Sequence, residues 1–492
     1  MQLIRTTAIL LAFFSAAGSP ARDSKPRAGP PNVLFIVCDD LNTHVSTSGY
    51  RHIRTPAMDR LAAGGTRFLR TYCQYPVCGP SRSSFLSGLY PESTRVLDNK
   101  SDIRQKRPGI IPLPAHFRKN GYWTAGVGKI FHNMKTDPGE SCWYEYDRFE
   151  NERNPVLEKA RKEFEAASGS IEKAANRKAW RLKLKEAKRG ASGQKVPGYG
   201  PTDMRDDEHK DGRNVRRVAS WLDRKSYGDK PFFIACGIQK PHVPFWAPKK
   251  YFDMYPQDKL VIPPALVGDW NDIPARAMVK RFKAFGFELD KENDPLRRAY
   301  TQAYHACISF IDAQIGLLLE ALKRNKLWEN TIVILISDHG YHLGEHYMWG
   351  KVSLFEECAR VPMVIRVPGR TREGTSSSGL LELVDLYPTL SELCGLKAPT
   401  HLQGKSFAKL LDDPSGAGRE TAYTVVSRGT ELGRSIRTAR WRYAEWGSSS
   451  EAELYDLEKD PAEHTNLAGK SQSRDQLEKM RLLLEKARKR SS

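Results

Sequence analysis

The sequence predicts an α/β fold: a mostly parallel sheet flanked by helices, with a small antiparallel-sheet subdomain near the C-terminus. Segments 33–38, 124–127, 232–236, 332–336 and 361–365 are continuously apolar rather than alternating, as in strands covered on both faces. Helical patterns separate them, and strands that alternate with helices assemble into parallel sheets. Residues 435–446 instead alternate as a single strand, with 453–457 as its antiparallel partner.

The chain has 492 residues, and 40% hydrophobic against 28% charged residues is the balance of a globular protein with a large core. Lys and Arg outnumber Asp and Glu by 78 to 58, a formal charge of +20, which suits polyanionic partners such as sulfated glycan, nucleic acid or acidic lipid. Eight cysteines are too sparse for a disulfide scaffold, with one or two bridges left open.

In chain order, residues 1–22 read as a secretory signal: Arg5 gives a positive start, 8–14 an apolar run, and 15–19 the small residues a signal peptidase accepts. An exported protein, periplasmic or extracellular, is expected. No later run reaches the roughly 20 apolar residues of a membrane span. The strand at 33–38 ends in Asp39-Asp40, and that at 124–127 runs into Gly128-Lys129-Ile130-Phe131-His132. Residues 153–200 form a basic insertion, read as surface helices and a Gly/Pro loop whose charges face either water or a polyanion. The strand at 232–236 leads to Lys240-Pro241-His242. A helix then opens with Asp294 as cap and Pro295 in its first turn, and lines Cys307, Ile311, Ile315, Leu318 and Leu322 along one stripe. The strand at 332–336 ends in Ser337-Asp338-His339-Gly340. The organisation expected is a catalytic unit at 30–410, a C-terminal subdomain at 411–470, and a basic tail at 471–492 without an assigned role.

Ligands of such sheets gather beyond the carboxyl ends of the strands, so the residues that follow each strand converge. Taken singly, each reads as a turn or a cap. Together, Asp39, Asp40, Asp338 and His339 would repel one another unless a cation lay among them, and oxygen ligands favour Ca2+ or Mg2+, with His339 the softer ligand. Cys78 stands apart from Cys38, Cys236 and Cys307, whose apolar settings read as inert. In Cys78-Gly79-Pro80-Ser81-Arg82-Ser83-Ser84-Phe85-Leu86-Ser87-Gly88, Pro80 suits a first helical turn. That places Cys78 at a positive helix end beside Arg82, as an activated thiol suited to attack or modification.

This segment resembles the signature of the sulfatases of the alkaline phosphatase superfamily, Cys-x-Pro-Ser-Arg followed by Leu-Thr-Gly, with Ser87 in place of the Thr. Gly128 to His132, Lys240 to Phe245, Asp338-His339, Leu343-Gly344-Glu345-His346 and Ser435-Ile436-Arg437-Thr438 are similar to the iduronate-2-sulfatase branch. The resemblance implies an alkaline phosphatase-like fold and oxidation of Cys78 to formylglycine by a formylglycine-generating enzyme. It implies Ca2+, with Mg2+ second, held by Asp39, Asp40, Asp338, His339 and the modified Cys78. One hydroxyl of the hydrated aldehyde would attack sulfur to give a covalent sulfo-enzyme, and the second would expel sulfate. Arg82, Lys129 and Lys351 would steady the sulfate and the hydrated aldehyde. His242 would protonate the leaving alcohol, and His132 would accept the second hydroxyl's proton. Lys240, His342, Glu345 and His346 would form the pocket rim or a supporting layer.

The expected activity is removal of 2-O-sulfate from an iduronate-like uronic acid of a sulfated oligosaccharide or polysaccharide, with no nucleic acid partner. The alternatives are another sulfated sugar, a phosphonate or phosphate monoester, or, from a different class, non-catalytic binding of a sulfated glycan.

Overall fold

The computed structural model describes residues 29–133, 136–147, 155–189, 198–264, 266–279, 294–447 and 451–491, so the expected signal at 1–22 lies outside the described residues. Eight strands form the main sheet: β1 (Asn32–Asp39), β2 (Thr66–Tyr72), β3 (Trp123–Gly128), β4 (Glu145–Asp147), β5 (Phe232–Pro241), β6 (Thr331–Ser337), β7 (Arg360–Arg366) and β8 (Thr375–Glu382). Their order across the sheet is β8-β2-β7-β6-β1-β5-β3-β4. Every neighbouring pair is parallel except the two made by β7, which runs antiparallel to both β6 and β2. An apolar run predicts a strand but carries no direction, so the orientation of β7 is new information.

The helices used below are α1 (Pro56–Ala63), α2 (Cys78–Ser87), α3 (Leu113–Lys119), α4 (Pro155–Ser168), α5 (Arg177–Arg189), α6 (Lys210–Asp223), α7 (Asp294–Arg324), α8 (Leu386–Leu393) and α9 (Arg474–Ser491). β1 is buried along its whole length. Leu34, Ile36 and Cys38 pack with Cys307, Ile311, Ile315, Leu318 and Leu322 of α7, while Val33, Phe35 and Val37 pack on the other face with Phe85, Phe117 and Leu386 of α2, α3 and α8. At about 1.5–3 kcal/mol for each large side chain withdrawn from water, this double coverage explains why polar residues are absent from the run. Among the described residues α7 alone is long and apolar enough to cross a membrane, and it lies in this core.

The basic insertion folds as α4 and α5. Residues 190–197 of its loop lie outside the described residues, and the chain returns as Tyr199–Thr202, a strand parallel to Phe245–Pro248. Near the C-terminus, β9 (Ala422–Arg428), β10 (Glu431–Arg437), β11 (Trp441–Trp446) and β12 (Ala452–Asp456) form an antiparallel sheet. The single strand expected at 435–446 is therefore two strands, β10 and β11. The chain reverses at Thr438, whose N–H donates to Trp441 O (2.8 Å) and whose Oγ1 accepts from Trp441 N–H (3.0 Å). Met480, Leu484 and Ala487 of α9 are buried in the same core cluster as Tyr443 and Trp446 of β11, so most of the basic tail is a helix packed on the C-terminal sheet. All eight cysteines are free and buried.

Candidate active site

The carboxyl ends of β1, β3, β5 and β6 deliver the reactive side chains to one edge, and each strand end is held by a specific device. After β1, Asp40 adopts a left-handed conformation (φ 64°), which Asp tolerates better than most residues. Tyr304 of α7 fixes that turn: its hydroxyl donates to Asp40 O (2.5 Å) and accepts from Asn42 N–H (2.9 Å). At the end of β3, Gly128 has φ 70°, and a Cβ there would stand 2.1 Å from Gly237 O of β5. Only glycine permits this approach, and it lets the chain turn at once into Lys129. At the end of β5, the Asp211 carboxylate of α6 accepts from Gln239 N–H and Lys240 N–H (both 2.8 Å), which sets the path to His242. After β6, the Ser81 hydroxyl donates to Asp338 O (2.5 Å).

Cys78 is the first residue of α2 and is 1% exposed. It therefore sits at the positive end of the helix, where free N–H groups and the helix dipole favour anions. Lys351 Nζ lies 3.1 Å from Cys78 Sγ and 2.5 Å from Asp40 Oδ1. His339 Nε2 is 3.4 Å from the same sulfur, with Nδ1 donating to Gly340 O (3.0 Å). Lys129 pairs with Asp39. Arg82 Nε donates to Asp338 Oδ2 (2.8 Å) and Nη1 to the carbonyls of Lys129 and, at 3.1 Å, Ile130. The His132 side chain is close enough to Cys78 to favour the ionised thiol, and its Nδ1 is buried without a hydrogen-bond partner. A ring nitrogen of His242 comes within 4.8 Å of Cys78, Asp39 and Asp40 ligand atoms. Every site residue put forward from the sequence is thus brought to one place.

The electrostatics follow from this packing. Burial works against ionisation of the Cys78 thiol, yet Lys129, Lys351 and His339 together hold it well below its ordinary range. Burial likewise opposes Asp39, which Lys129, His242 and Arg82 keep low. Asp338 is pushed up by burial, with Asp39 and Cys78 adding to it against Arg82.

The expectation that only a metal could relieve the carboxylate repulsion needs revision, because Lys129, Lys351 and Arg82 already pair with Asp39, Asp40 and Asp338. What fits a metal is the remainder. Asp39 Oδ1 and Asp40 Oδ2 are buried without a hydrogen-bond partner, which is rare for anionic oxygens. Asp39 belongs to both, and Asp40 to the second, of two overlapping sets of residues, Asp39, Cys78, Asp338, His339 and Asp39, Asp40, Cys78, His242, whose ligand atoms lie within 4.8 Å of one another in each set. Each set has two carboxylates beside Cys78 and a histidine, and those carboxylate oxygens suit a hard divalent cation.

The expected rim lies deeper than a rim. Lys240 donates to Pro244 O (2.5 Å), His342 Nε2 pairs with Ser353 Oγ (2.7 Å), and His346 Nδ1 donates to Asp269 Oδ2 (2.9 Å), all buried. Glu345 Oε1 stands 4.0 Å from His44 Nε2. Sequence reasoning missed Asp211, Tyr304 and Ser81 as supports. The one trace of Tyr304 was a hydroxyl-bearing residue three positions before Cys307 on an apolar stripe.

A family model described as "Sulfatase" matches residues 31–396, and one described as "N-sulphoglucosamine sulphohydrolase, C-terminal" matches 344–490. The chain is 33% identical to a sulfatase of Formosa agariphila over 93% of this chain and 86% of that protein. It is 30% identical to human iduronate 2-sulfatase over 90% of this chain and 92% of that protein. The solved structure of BT4656 in complex with its substrate D-glucosamine-2-N,6-O-disulfate shares the fold, with a TM-score of 0.72, 22% identity, and 94% and 98% of the two chains covered. With most of its length matched by the family model and by relatives at this identity, the chain belongs to the sulfatase family, whose members hydrolyse sulfuric esters.

Proposed function

We propose that this sulfatase is exported, depends on Ca2+, and removes 2-O-sulfate from an iduronate-like uronic acid of a sulfated glycan, using formylglycine formed from Cys78. The observation that carries the reading is the Cys78 sulfur at the head of α2, between Lys351 and His339, in one cluster with Asp39 and Asp40, each of which keeps a buried oxygen without a hydrogen bond. Asp39, Asp40, Asp338 and His339 would hold the ion, whose chemistry is to polarise the sulfate ester as a Lewis acid. Formylglycine would supply, as its hydrate, two hydroxyls on one carbon.

The chain's own residues do the rest. Three carboxylates facing three cations leave the protein part of the site near neutrality, so a divalent ion makes it a dication, matched to a substrate with one sulfate and one carboxylate charge. Lys351 and Lys129 stabilise negative charge on sulfate oxygens beside position 78. Arg82 is mostly engaged with Asp338 and two carbonyls, so it orients that carboxylate, with Nη2, 3.8 Å from Asp39 Oδ1 and without a hydrogen bond, as the remaining donor. The His242 Nδ1–H donates to Val243 O (2.6 Å), which fixes the tautomer and frees the other ring nitrogen to serve the leaving alcohol. His132 takes a proton at position 78. The identity with human iduronate 2-sulfatase and the positive surface support the uronate assignment.

The test is kcat/KM for a disaccharide bearing 2-O-sulfated iduronate, for its 6-O-sulfated glucosamine isomer, and for matched aryl sulfate and aryl phosphate esters. The 2-O-sulfated uronate should be the best substrate. Preference for the glucosamine ester would overturn the substrate assignment, and preference for phosphate would overturn the sulfatase reading itself.

A further inference from the structure

We propose that the α4–α5 hairpin is an electrostatic arm that holds a sulfated polysaccharide beside the catalytic edge; the choice of polymer rests on the sulfatase reading, the arm itself on its own charge and placement. The segment forming α5, RKAWRLKLKEAKR, carries seven Lys or Arg against one Glu. Among the described residues, no carboxylate comes within ion-pairing distance of Arg177, Lys178, Arg181 or Lys183, all of which are exposed. The contrast with α4 is direct. That helix has three basic and three acidic residues, and its Arg161 and Lys162 are neutralised by Glu165 (3.3 Å) and Glu208 (3.6 Å). The hairpin is closed by the Phe164 and Trp180 rings (centroids 5.5 Å apart), leaving the cationic face of α5, with Leu182 59% exposed on it, turned to solvent. At 1.5 Å per residue α5 is roughly 20 Å long, room for several charged sugar units.

The placement of the hairpin is what separates an arm from an ordinary solvated helix. The chain enters the insertion from the carboxyl end of β4, which is parallel to β3, so it opens at the edge that carries Lys129. It returns as Tyr199–Thr202, paired with Phe245–Pro248, and Phe245 is three residues past His242. The Lys162–Glu208 pair ties α4 to the residues just ahead of α6, whose Asp211 holds the β5 end leading to His242. The strands that lead into and out of the +6 hairpin, ending at Asp147 and beginning at Tyr199, thus lie by the carboxyl ends of β3 and β5, and the Lys162–Glu208 pair keeps α4 on that side, where an anionic polymer threaded to the reacting sugar would pass. Unpaired exposed cations attract such a polymer over about a Debye length, ~8–10 Å at ordinary salt.

The experiment compares the wild-type protein with R177Q/K178Q/R181Q/K183Q and with the charge-keeping R177K/K178R/R181K/K183R, on immobilised heparin titrated with NaCl and in turnover. The glutamine variant should lose about tenfold in heparin affinity with a shallower salt dependence, and about tenfold in kcat/KM on sulfated polysaccharide. Its kcat/KM on 4-nitrophenyl sulfate should stay within about twofold of wild type, and the charge-keeping variant should match wild type in all three. Unchanged heparin affinity and an unchanged polymer-to-aryl ratio would overturn the arm. Tighter wild-type binding to duplex DNA or to phosphatidylserine vesicles than to heparin would overturn the glycan assignment. Absence of 4-nitrophenyl sulfate turnover in every protein would sink the sulfatase reading, while the heparin comparison would still decide the arm.

Discussion

Replacing Asp269 by Asn tests how the catalytic loop is clamped to the C-terminal sheet. The Asp269 carboxylate accepts from His346 Nδ1 (2.9 Å) and His464 Nδ1 (2.8 Å), bridging the loop that leads to Lys351 and the segment after β12. Asn keeps the size but loses the charge and one acceptor oxygen. A hydrogen bond to a charged group contributes about 1.5–3 kcal/mol, so losing one and weakening the other should cost about 2–4 kcal/mol. The pH dependence follows from two opposite shifts. Burial opposes the Asp269 carboxylate, but its bonds to the two histidines hold it below the usual range, so its contribution is present above about pH 4 and lost as pH falls through the depressed value. Burial also opposes charge on His346, but Asp269 and Glu357 raise its pKa, so that contribution is complete below about pH 6.5 and lost as pH rises through the raised value. The clamp is strongest between those limits. Urea unfolding of wild type and D269N, followed by tryptophan fluorescence, should show the largest deficit near pH 5.5. At pH 9 the deficit should be roughly half as large, because a neutral imidazole donor makes a bond about half as strong. A deficit that is absent, or that grows with pH, would refute the reasoning.

Arg82→Met should cost about 3–5 kcal/mol in the same assay, because it strands the fully buried Asp338 carboxylate without its partner; a loss under ~1 kcal/mol would contradict that pairing. Added Ca2+ should raise the thermal midpoint of the wild type and not of Asp40→Asn, since the variant loses an orphaned oxygen; an equal rise in both would place the ion elsewhere. Gly128→Ala should destabilise by more than about 2 kcal/mol, because the added Cβ meets Gly237 O at 2.1 Å and the backbone is left-handed there; a neutral outcome in urea would mean that the β3 and β5 ends separate freely.

What the sequence made legible was the part set by local chemistry. Strands β1, β3, β5 and β6 are covered on both faces, so their apolar runs are unbroken, and the polar residues that follow them are the site. Strands β2 and β8 escaped because TRFLRTY and TSSSGLLE mix Arg, Thr and Ser with few large apolar side chains; they are strands because each finds pairing partners in the sheet. The turn at Thr438 has no Gly or Pro and is held by Thr438 through its backbone N–H and its side-chain oxygen, so its sequence looks like continuing strand. Supports such as Asp211 and Tyr304 act across long separations in the chain, and no spacing rule connects them to the strand ends they hold.

The central claim is that Cys78 is a precursor, and a peptide mass map of protein from its natural host tests it most directly. Cleavage after Arg70 and Arg82 gives a peptide with both Cys73 and Cys78, so one of its thiols serves as an internal control. The account predicts one alkylatable thiol, at Cys73, and at position 78 the loss of sulfur and two hydrogens with the gain of one oxygen, the change from –CH2–SH to –CHO. Two intact thiols in that peptide would contradict it.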